Sequence, residues 1–443
     1  MTAVLSKIVR TYRNAYSGLP REVWLISSAL FINRLGTMVL PFLMLYLTRE
    51  LGFAEGAAGR LLSLYGCGAI VGTYLGGKLT DRVGAIRLQV FLLLGSVPLF
   101  LVIPFCQTWF SVGFSLFCLS VVSEGVRPAN STAVAQLAPA DLQTRAFALQ
   151  RMALNLGFSV GPVIGGLLTM VSFAWLFVVD ASTTFLGAVA LICFLGVVRS
   201  KKTNVKIDDG KKVVSGKREQ LELSGKMTKA VSPWRDSKFL LFLSLLLFAS
   251  VAFFQFQSTY PLYLQDHYGL SNLGIGFVFA ANTALIILAE MILVEYVKRW
   301  RLLVLIGWGC FFSCFGFGVL PFGETFLFAI FAMMIVTLGE MLSMPLSSGW
   351  VAQRSRNAQQ GAYMGLYSTT YSIAFLIAPA IGGAIYETNS FHFAGYVWGG
   401  PEVVWYLSLL VGLLVLIGFY RLDRFDRRQP ATRSGDVGRL KDA

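Results

Sequence analysis

Twelve apolar runs, most of them about 20 residues or longer, dominate the chain: 23–48, 57–78, 87–106, 111–137, 146–170, 173–198, 238–264, 272–297, 302–321, 324–350, 361–386 and 402–421. Each can cross a ~30 Å hydrocarbon core as a helix rising ~1.5 Å per residue. Within a bilayer every backbone N–H and C=O must find its partner inside the protein, which leaves only helices and closed barrels. A barrel would show alternating strands of about ten residues. These runs are continuously apolar, so the expected fold class is an all-α membrane protein with twelve transmembrane helices. Composition agrees: 56% of the 443 residues are hydrophobic and 14% charged, where a soluble domain carries about 25% charged residues.

A net charge of +14 raises the question of a nucleic-acid partner. Its distribution answers against one. All but four of the 37 lysines and arginines lie at the N-terminus, in the even-numbered loops or in the C-terminal tail. Arg49 and Arg60 fall near the other side, and Arg34 and Arg127 inside the runs. This is the positive-inside bias, so both termini are expected in the cytoplasm. The basic N-terminus leads into a 26-residue run without a small-residue cleavage site, which reads as an uncleaved first span.

The six cysteines all sit in or at apolar runs. Cys310 and Cys314 can share a helix face, yet no His or acid accompanies them at ligand spacing, so buried thiols are expected and no metal. His267 and His392 fall in loops on the non-cytoplasmic side. No nucleophile–base pair and no phosphate-cradling loop appears, so neither an enzyme nor a cofactor is expected.

After the sixth run comes the one long polar segment, 199–238, with twelve Lys/Arg against five acids. Its composition suits a solvated linker, able to lie on anionic headgroups. The segments on either side repeat. Tyr46-Leu47, Gly52 and Gly59 match Tyr263-Leu264, Gly269 and Gly276; Val134-Ala135-Gln136 matches Val351-Ala352-Gln353; Gly161-Pro162 and Gly165-Gly166 match Ala378-Pro379 and Gly382-Gly383. Every pair is 217 residues apart, as in 263 − 46. A constant offset implies two six-helix bundles in the same orientation, related by a pseudo-two-fold axis along the membrane normal. The expected organisation is a bundle over 1–198, a basic cytoplasmic linker over 199–237, a second bundle over 238–422 and a polar cytoplasmic tail over 423–443.

At this point the residues resemble the major facilitator superfamily over essentially the whole chain. The strongest likeness is Gly77-Lys78-Leu79-Thr80-Asp81-Arg82-Val83-Gly84-Ala85-Ile86-Arg87, which is similar to the family's loop between helices 2 and 3, except that Ala85 stands where a basic residue is usual. In the fifth run, Gly157-Phe158-Ser159-Val160-Gly161-Pro162-Val163-Ile164-Gly165-Gly166 resembles the signature of the superfamily's drug–proton antiporters. The resemblance implies a gating role for Gly77, Asp81, Arg82 and Gly84 and a pivot at Gly161, Pro162 and Gly165. Physically, glycines every fourth residue form a flat stripe for close helix approach, and Pro162 lacks the N–H that would continue the ladder. Ordinary helix packing explains the stripe equally well. The loop's weaker equivalent, Leu293 to Arg301, keeps basic charge and lacks the aspartate, so Asp81 is expected to grip the other bundle, at helix 11.

Intramembrane charges are costly and need a partner or a task. Arg34 lies about eleven residues into the first run, near the midplane. Glu124 and Arg127, three apart, share one helix face. The patterns Asn33-Arg34-Leu35-Gly36 to Pro41 and Glu124-x-x-Arg127-Pro128 resemble exporter-like members, without the usual Gln-Gly after the arginine. Glu124 and Arg127 can be a neutralising structural pair, or Glu124 a proton carrier. Glu290 and Glu340 are further proton or cation candidates. Arg34 and Arg127 are candidates for a substrate carboxylate, and Asp180 for a structural partner of an N-half arginine. Phe254, Gln257 and Tyr260, where a polar handle interleaves with rings, are expected to line an amphipathic pocket.

The reading that joins these features is a monomeric, proton-coupled secondary transporter in a bacterial inner membrane, exporting small amphipathic substrates by alternating access. Its partners are the substrate, protons and the lipid bilayer. An uptake symporter or facilitator for zwitterions, and a non-transporting membrane sensor or scaffold, are the alternatives.

Overall fold

The computed structural model describes residues 18–139, 142–202, 232–297, 300–355, 360–387, 391–393, 396–398 and 400–428. Most of the linker and of the tail expected from the sequence therefore falls outside the described residues. Twelve membrane-length helices follow one another: α1 (Arg21–Glu50), α2 (Glu55–Val83), α3 (Ala85–Val102), α4 (Trp109–Leu137), α5 (Gln143–Thr169) and α6 (Ala174–Lys202) form the N-half. The C-half holds α7 (Ser237–Asp266, in two α-helical pieces), α8 (Asn272–Val297), α9 (Leu302–Gly318), α10 (Phe326–Arg354), α11 (Gln360–Glu387) and α12 (Glu402–Arg428). A small hairpin of β1 (Phe391–Phe393) and β2 (Tyr396–Trp398) precedes α12. Eleven of these segments are apolar enough to span by composition alone. The twelfth, α2, is 29 residues long and spends its apolar character on glycines and on the basic end near Lys78 and Arg82.

Three described spans are interrupted near the middle: α4 by the single turn residue Gly125, and α1 and α7 at matching places. α1 runs from Arg21 to Leu35, turns at residues 36–38, and resumes at Val39. α7 runs from Ser237 to Phe253, tightens over Phe254–Gln257, and resumes at Thr259. Met38 and Gln255 are 217 apart, so the breaks are equivalents. In each resumed piece a proline, Pro41 or Pro261, stands third, where its missing N–H spoils the bond back across the break but is tolerated in a first turn.

The halves meet through α2 with α11 and through α5 with α8. Both seams are built the same way. A Cβ added at Gly59 would stand 2.2 Å from the carbonyl oxygen of Pro379, and one at Gly276 would stand 2.4 Å from that of Pro162. Gly59 and Gly276 are equivalents, as are Pro162 and Pro379. Only glycine lets these backbones touch.

Both seams lie toward one face of the molecule. There a single buried core runs through both halves, joining Phe42, Leu61 and Phe177 to Tyr263, Phe279 and Trp405. Toward the face that carries both chain ends and the α2–α3, α4–α5 and α10–α11 turns, the core splits in two. Val23, Val134 and Leu149 pack within the N-half, and Phe239, Trp350 and Phe419 within the C-half. Nothing stands within 4 Å of a Cβ placed at Gly77 of α2 or Gly349 and Gly365 of α10 and α11. The bundles thus enclose a cleft that is shut at one face and open at the other, here called the basic face.

At the basic face a polar brace ties the C-half together. Asp236 caps α7, accepting from the Phe239 amide at 3.1 Å, from two guanidinium nitrogens of Arg354 at 2.7 Å each, and from the Tyr363 hydroxyl at 3.1 Å. Asp426 of α12 accepts from Lys238 at 2.9 Å. Burial alone would raise the Asp236 carboxyl; the Arg354 hydrogen bonds and charge, with the Phe239 amide and Tyr363 hydroxyl, outweigh it and hold the group below its ordinary value. Stability from this site is therefore complete above the unfolded-chain value of about 3.9 and is lost as pH falls through the lower folded value. Asp236→Asn is expected to cost about 1.5–3 kcal/mol at neutral pH. The gap to wild type in a thermal-unfolding midpoint should narrow below pH ~4.

Candidate functional site

Asp180 reaches the break in α1 from the neighbouring α6. Its two carboxylate oxygens accept from the backbone amides of Met38 and Val39, at 3.2 Å each. A helix that restarts leaves its first N–H groups without intrahelical partners, and although the Met38 amide also reaches the Gly36 carbonyl at 2.7 Å, Asp180 serves both it and Val39. The hydrogen-bonded partners of Asp180 are broken backbone, and Arg34, an arginine of the same half, shares its cavity. The equivalent break in α7 is served differently. The Gln255 side chain accepts from Ser258 and Thr259 at 3.1 and 2.8 Å, and donates to the Ala378 carbonyl of α11 at 2.8 Å.

The glycine stripe of α5 lies against this break. A Cβ at Gly157 would meet Arg34 at 2.6 Å, one at Gly161 the carbonyls of Leu35 and Thr37 at 3.2 and 3.3 Å, and one at Gly165 Met38 and Phe42. Pro162, one position on, offers its carbonyl to Gly276 of the other half. One motif thus serves the break on one side and the seam on the other.

Beside the break lies a cavity of about 60 Å³, lined by Asn33, Arg34, Tyr65, Ser123, Glu124 and Asp180 among others. That is room for about four waters. Arg34 Nε is buried without a hydrogen-bond partner among the described residues, so this guanidinium keeps donor capacity for a water or a ligand. On α4 Arg127 grips Glu124 with two nitrogens, Nε at 2.5 Å and a terminal nitrogen at 3.3 Å. The Glu124 side chain is 8% exposed and that of Arg127 62%. A guanidinium so open at the middle of a span must face the cleft, since lipid would not tolerate it.

The opposite wall carries the C-half acids. Glu340 of α10 accepts from Asn282 of α8 at 3.1 Å, and Asn282 also donates to Thr337 at 2.9 Å. Glu290 of α8 pairs with Arg151 of α5, across the boundary between halves. Arg151 lay within the run 146–170 yet reads from sequence as one more flanking basic residue. Only the packing of α5 on α8 reveals its partner. Asn282 and Thr337 carry no sequence signal, being single polar residues in apolar helices.

Of the aromatic candidates, Phe254 packs edge-on against Tyr371 and Phe375 of α11, and Gln257 is half-buried beside it. Tyr260 is a correction. It is 1% exposed within a cluster of Phe256, Phe279, Phe317 and Trp405, and so belongs to the shared core rather than to a pocket wall. Gly84 ends α2 at φ +91°, a left-handed conformation that favours glycine, and so turns the chain sharply into α3. Arg82 is exposed at that end. The side chains of Asp81 and of Glu295, Lys298 and Arg299 lie outside the described ones, so the expected grip of Asp81 on α11 does too.

Residues 26–379 match the family model of the Major Facilitator Superfamily. The chain is 25% identical over 418 residues to the Bacillus subtilis (strain 168) protein YttB, an MFS-type transporter, covering 93% of this chain and 96% of that protein. It is 26% identical over 415 residues to a Na(+), Li(+), K(+)/H(+) antiporter of Planococcus maritimus, covering 89% and 93%. To the quinolone resistance protein NorA of Staphylococcus aureus it is 25% identical over 379 residues, covering 83% and 91%. Among solved structures, a POT family transporter in complex with 5-aminolevulinic acid superposes with a TM-score of 0.71 at 16% identity, covering 93% of this chain and 97% of that one. The nucleoside transporter NupG superposes with a TM-score of 0.67 at 14% identity, covering 91% and 99%.

Two changes probe the site. Asp180→Ala removes the acceptor of the Val39 amide and leaves Met38 only its bond to the Gly36 carbonyl, and should cost about 1–3 kcal/mol with faster hydrogen exchange confined to the break. Arg151→Ala should destabilise by about 1–3 kcal/mol, because it strands Glu290 in a partly buried site. Arg151→Ala with Glu290→Gln should recover part of that loss in a thermal-unfolding assay.

Proposed function

The chain belongs to the Major Facilitator Superfamily, and on that premise we propose that it is a proton-coupled exporter of small amphipathic compounds, working by alternating access. The observation that carries this reading is a cleft shut at one face and open at the basic face, with partnered carboxylates in both walls: Glu124 in one, Glu290 and Glu340 in the other. The positive-inside bias assigns the basic face to the cytoplasm of a bacterial inner membrane. The open state is then the one in which an exporter loads. Two relatives support the direction, one named for quinolone resistance and one for exchanging monovalent cations against protons.

In this mechanism Glu124 exchanges its arginine for a proton arriving from the far side. Arg127 and Arg34 are then free to hold an anionic group of the substrate, while Phe254, Gln257 and the tyrosines of α11 receive its apolar body. Closure at the basic face uses the end of α2 from Gly77, with Asp81, Arg82 and the Gly84 turn, and rocking occurs at Gly161, Pro162 and Gly165. One proton entering contributes ~2.3 kcal/mol per 100 mV of membrane potential. The bundles work as a monomer over 1–198 and 238–422, joined by the 199–237 linker.

Proteoliposomes loaded at acid pH test this. A quinolone, or a monovalent cation, added outside should dissipate the proton gradient. Glu124→Gln should slow that by about ten-fold or more, in line with loss of a proton-transfer group. Unchanged proton dependence in the variant removes Glu124 from the mechanism. A second reading, uptake of zwitterions, is favoured by the opposite signs of the walls, Arg127 on α4 facing the side of Glu340 on α10. Dipeptide accumulation driven by an acid-outside gradient, with no dissipation of the acid-inside gradient by quinolones or cations, would select it.

A further inference from the structure

At the face where the cleft is shut, Arg49 at the end of α1 forms an ion pair with Asp266 at the end of α7. The two residues are 217 apart, the offset that relates the halves. Under a two-fold axis, equivalent residues stand at equal distances on opposite sides of it. Two such residues in contact must therefore straddle the axis itself. This ion pair sits where the halves pivot away from one another, and its two ends carry opposite charge although the positions are equivalent.

The pair is the centre of a polar belt. Arg49 also donates through Nε to Gln265 at 3.1 Å, and Gln265 reaches Asn272 of α8 at 3.4 Å. Asn272 donates to Thr169 of α5 at 3.0 Å, which crosses the α5–α8 seam. On the other side Tyr386 of α11 donates to the second Asp266 oxygen at 2.8 Å, and its neighbour Glu387 accepts from the Gly56 amide of α2 at 3.0 Å, which crosses the α2–α11 seam. All three junctions between the halves are thus stitched at one level. Both side chains of the central pair are 37% exposed, so water competes for them and the bond is one that can open.

We propose that Arg49 and Asp266 form an on-axis lock that holds the far face shut, released each time the transporter opens away from the basic face. This rests on the alternating-access reading above and adds a device to it. The lock is distinct from the end of α2 at Gly77 to Gly84, which lies at the opposite end of the molecule and serves the opposite closure.

Because the partners are symmetry equivalents, their charges should be interchangeable. Hydrogen exchange of the full-length protein in nanodiscs tests this without a substrate. Asp266→Asn and Arg49→Gln should each speed exchange about five-fold at the start of α2 and of α8. Exchange should slow in the same variants at residues 74–88 as the basic face closes. The double variant Arg49→Asp with Asp266→Arg should return both faces toward wild type. Unchanged exchange in the single variants overturns the lock, as does a double variant no better than the singles. Faster exchange at both faces together means unfolding rather than reopening, and also overturns it. Wild type moved between pH 5 and pH 8 is the control for the underlying reading. If its two faces never change reciprocally, alternating access fails; if they do and the variants do not, the lock alone fails.

Discussion

Everything in this molecule that distinguishes two bundles from one depends on two backbone contacts, Gly59 on Pro379 and Gly276 on Pro162. Helices in lipid gain nothing from hydrophobic exclusion against each other, so they associate where small residues let backbones close up. Here the missing side chain is on one half and the exposed carbonyl of a proline-bent helix on the other. The same geometry occurs twice, once at each seam. Since both contacts lie toward one face, the halves pack backbone to backbone there, and toward the other face α5 and α8 are tied by the Arg151–Glu290 ion pair. The shape of the cleft follows from where these glycines stand.

A second consequence concerns the charged groups. Breaking α1 and α7 at equivalent points leaves polar groups in the middle of the membrane, and each break recruits a side chain. In α7 it is a local one, Gln255, which accepts from the Ser258 and Thr259 hydroxyls. In α1 it is a carboxylate from another helix, Asp180, which draws α6 into the same cavity as Arg34 and Glu124. The N-half therefore acquires a small chamber lined by charges of both signs. The asymmetry between bundles of one ancestry arises at this point, in how one backbone break is capped.

Charge placement also separates permanent ties from movable ones. The Asp236–Arg354 brace joins helices of one half and is built from several hydrogen bonds on a largely buried carboxylate. Contacts that cross between halves, Arg151 to Glu290 and the belt around Arg49, each involve a partner substantially open to solvent. On the proposed alternating-access reading, an interface that breaks in each cycle is served by bonds that water can replace.

The sequence by itself determined the class of fold, because a run of twenty apolar residues has few solutions in a bilayer, and it determined the pairing of halves through the 217-residue offset. It also located Glu124 with Arg127, since three residues along a helix fixes a shared face. What it could not determine were partners set by packing between helices far apart in the chain. Arg151 read as a flanking basic residue until α5 lay against α8. Tyr260 read as a pocket residue until four aromatic neighbours enclosed it, and the backbone that Asp180 serves stayed hidden until α1 proved broken. Periodicity along one helix is local information. Which face of that helix meets which neighbour, and where two bundles join, is decided by tertiary packing alone.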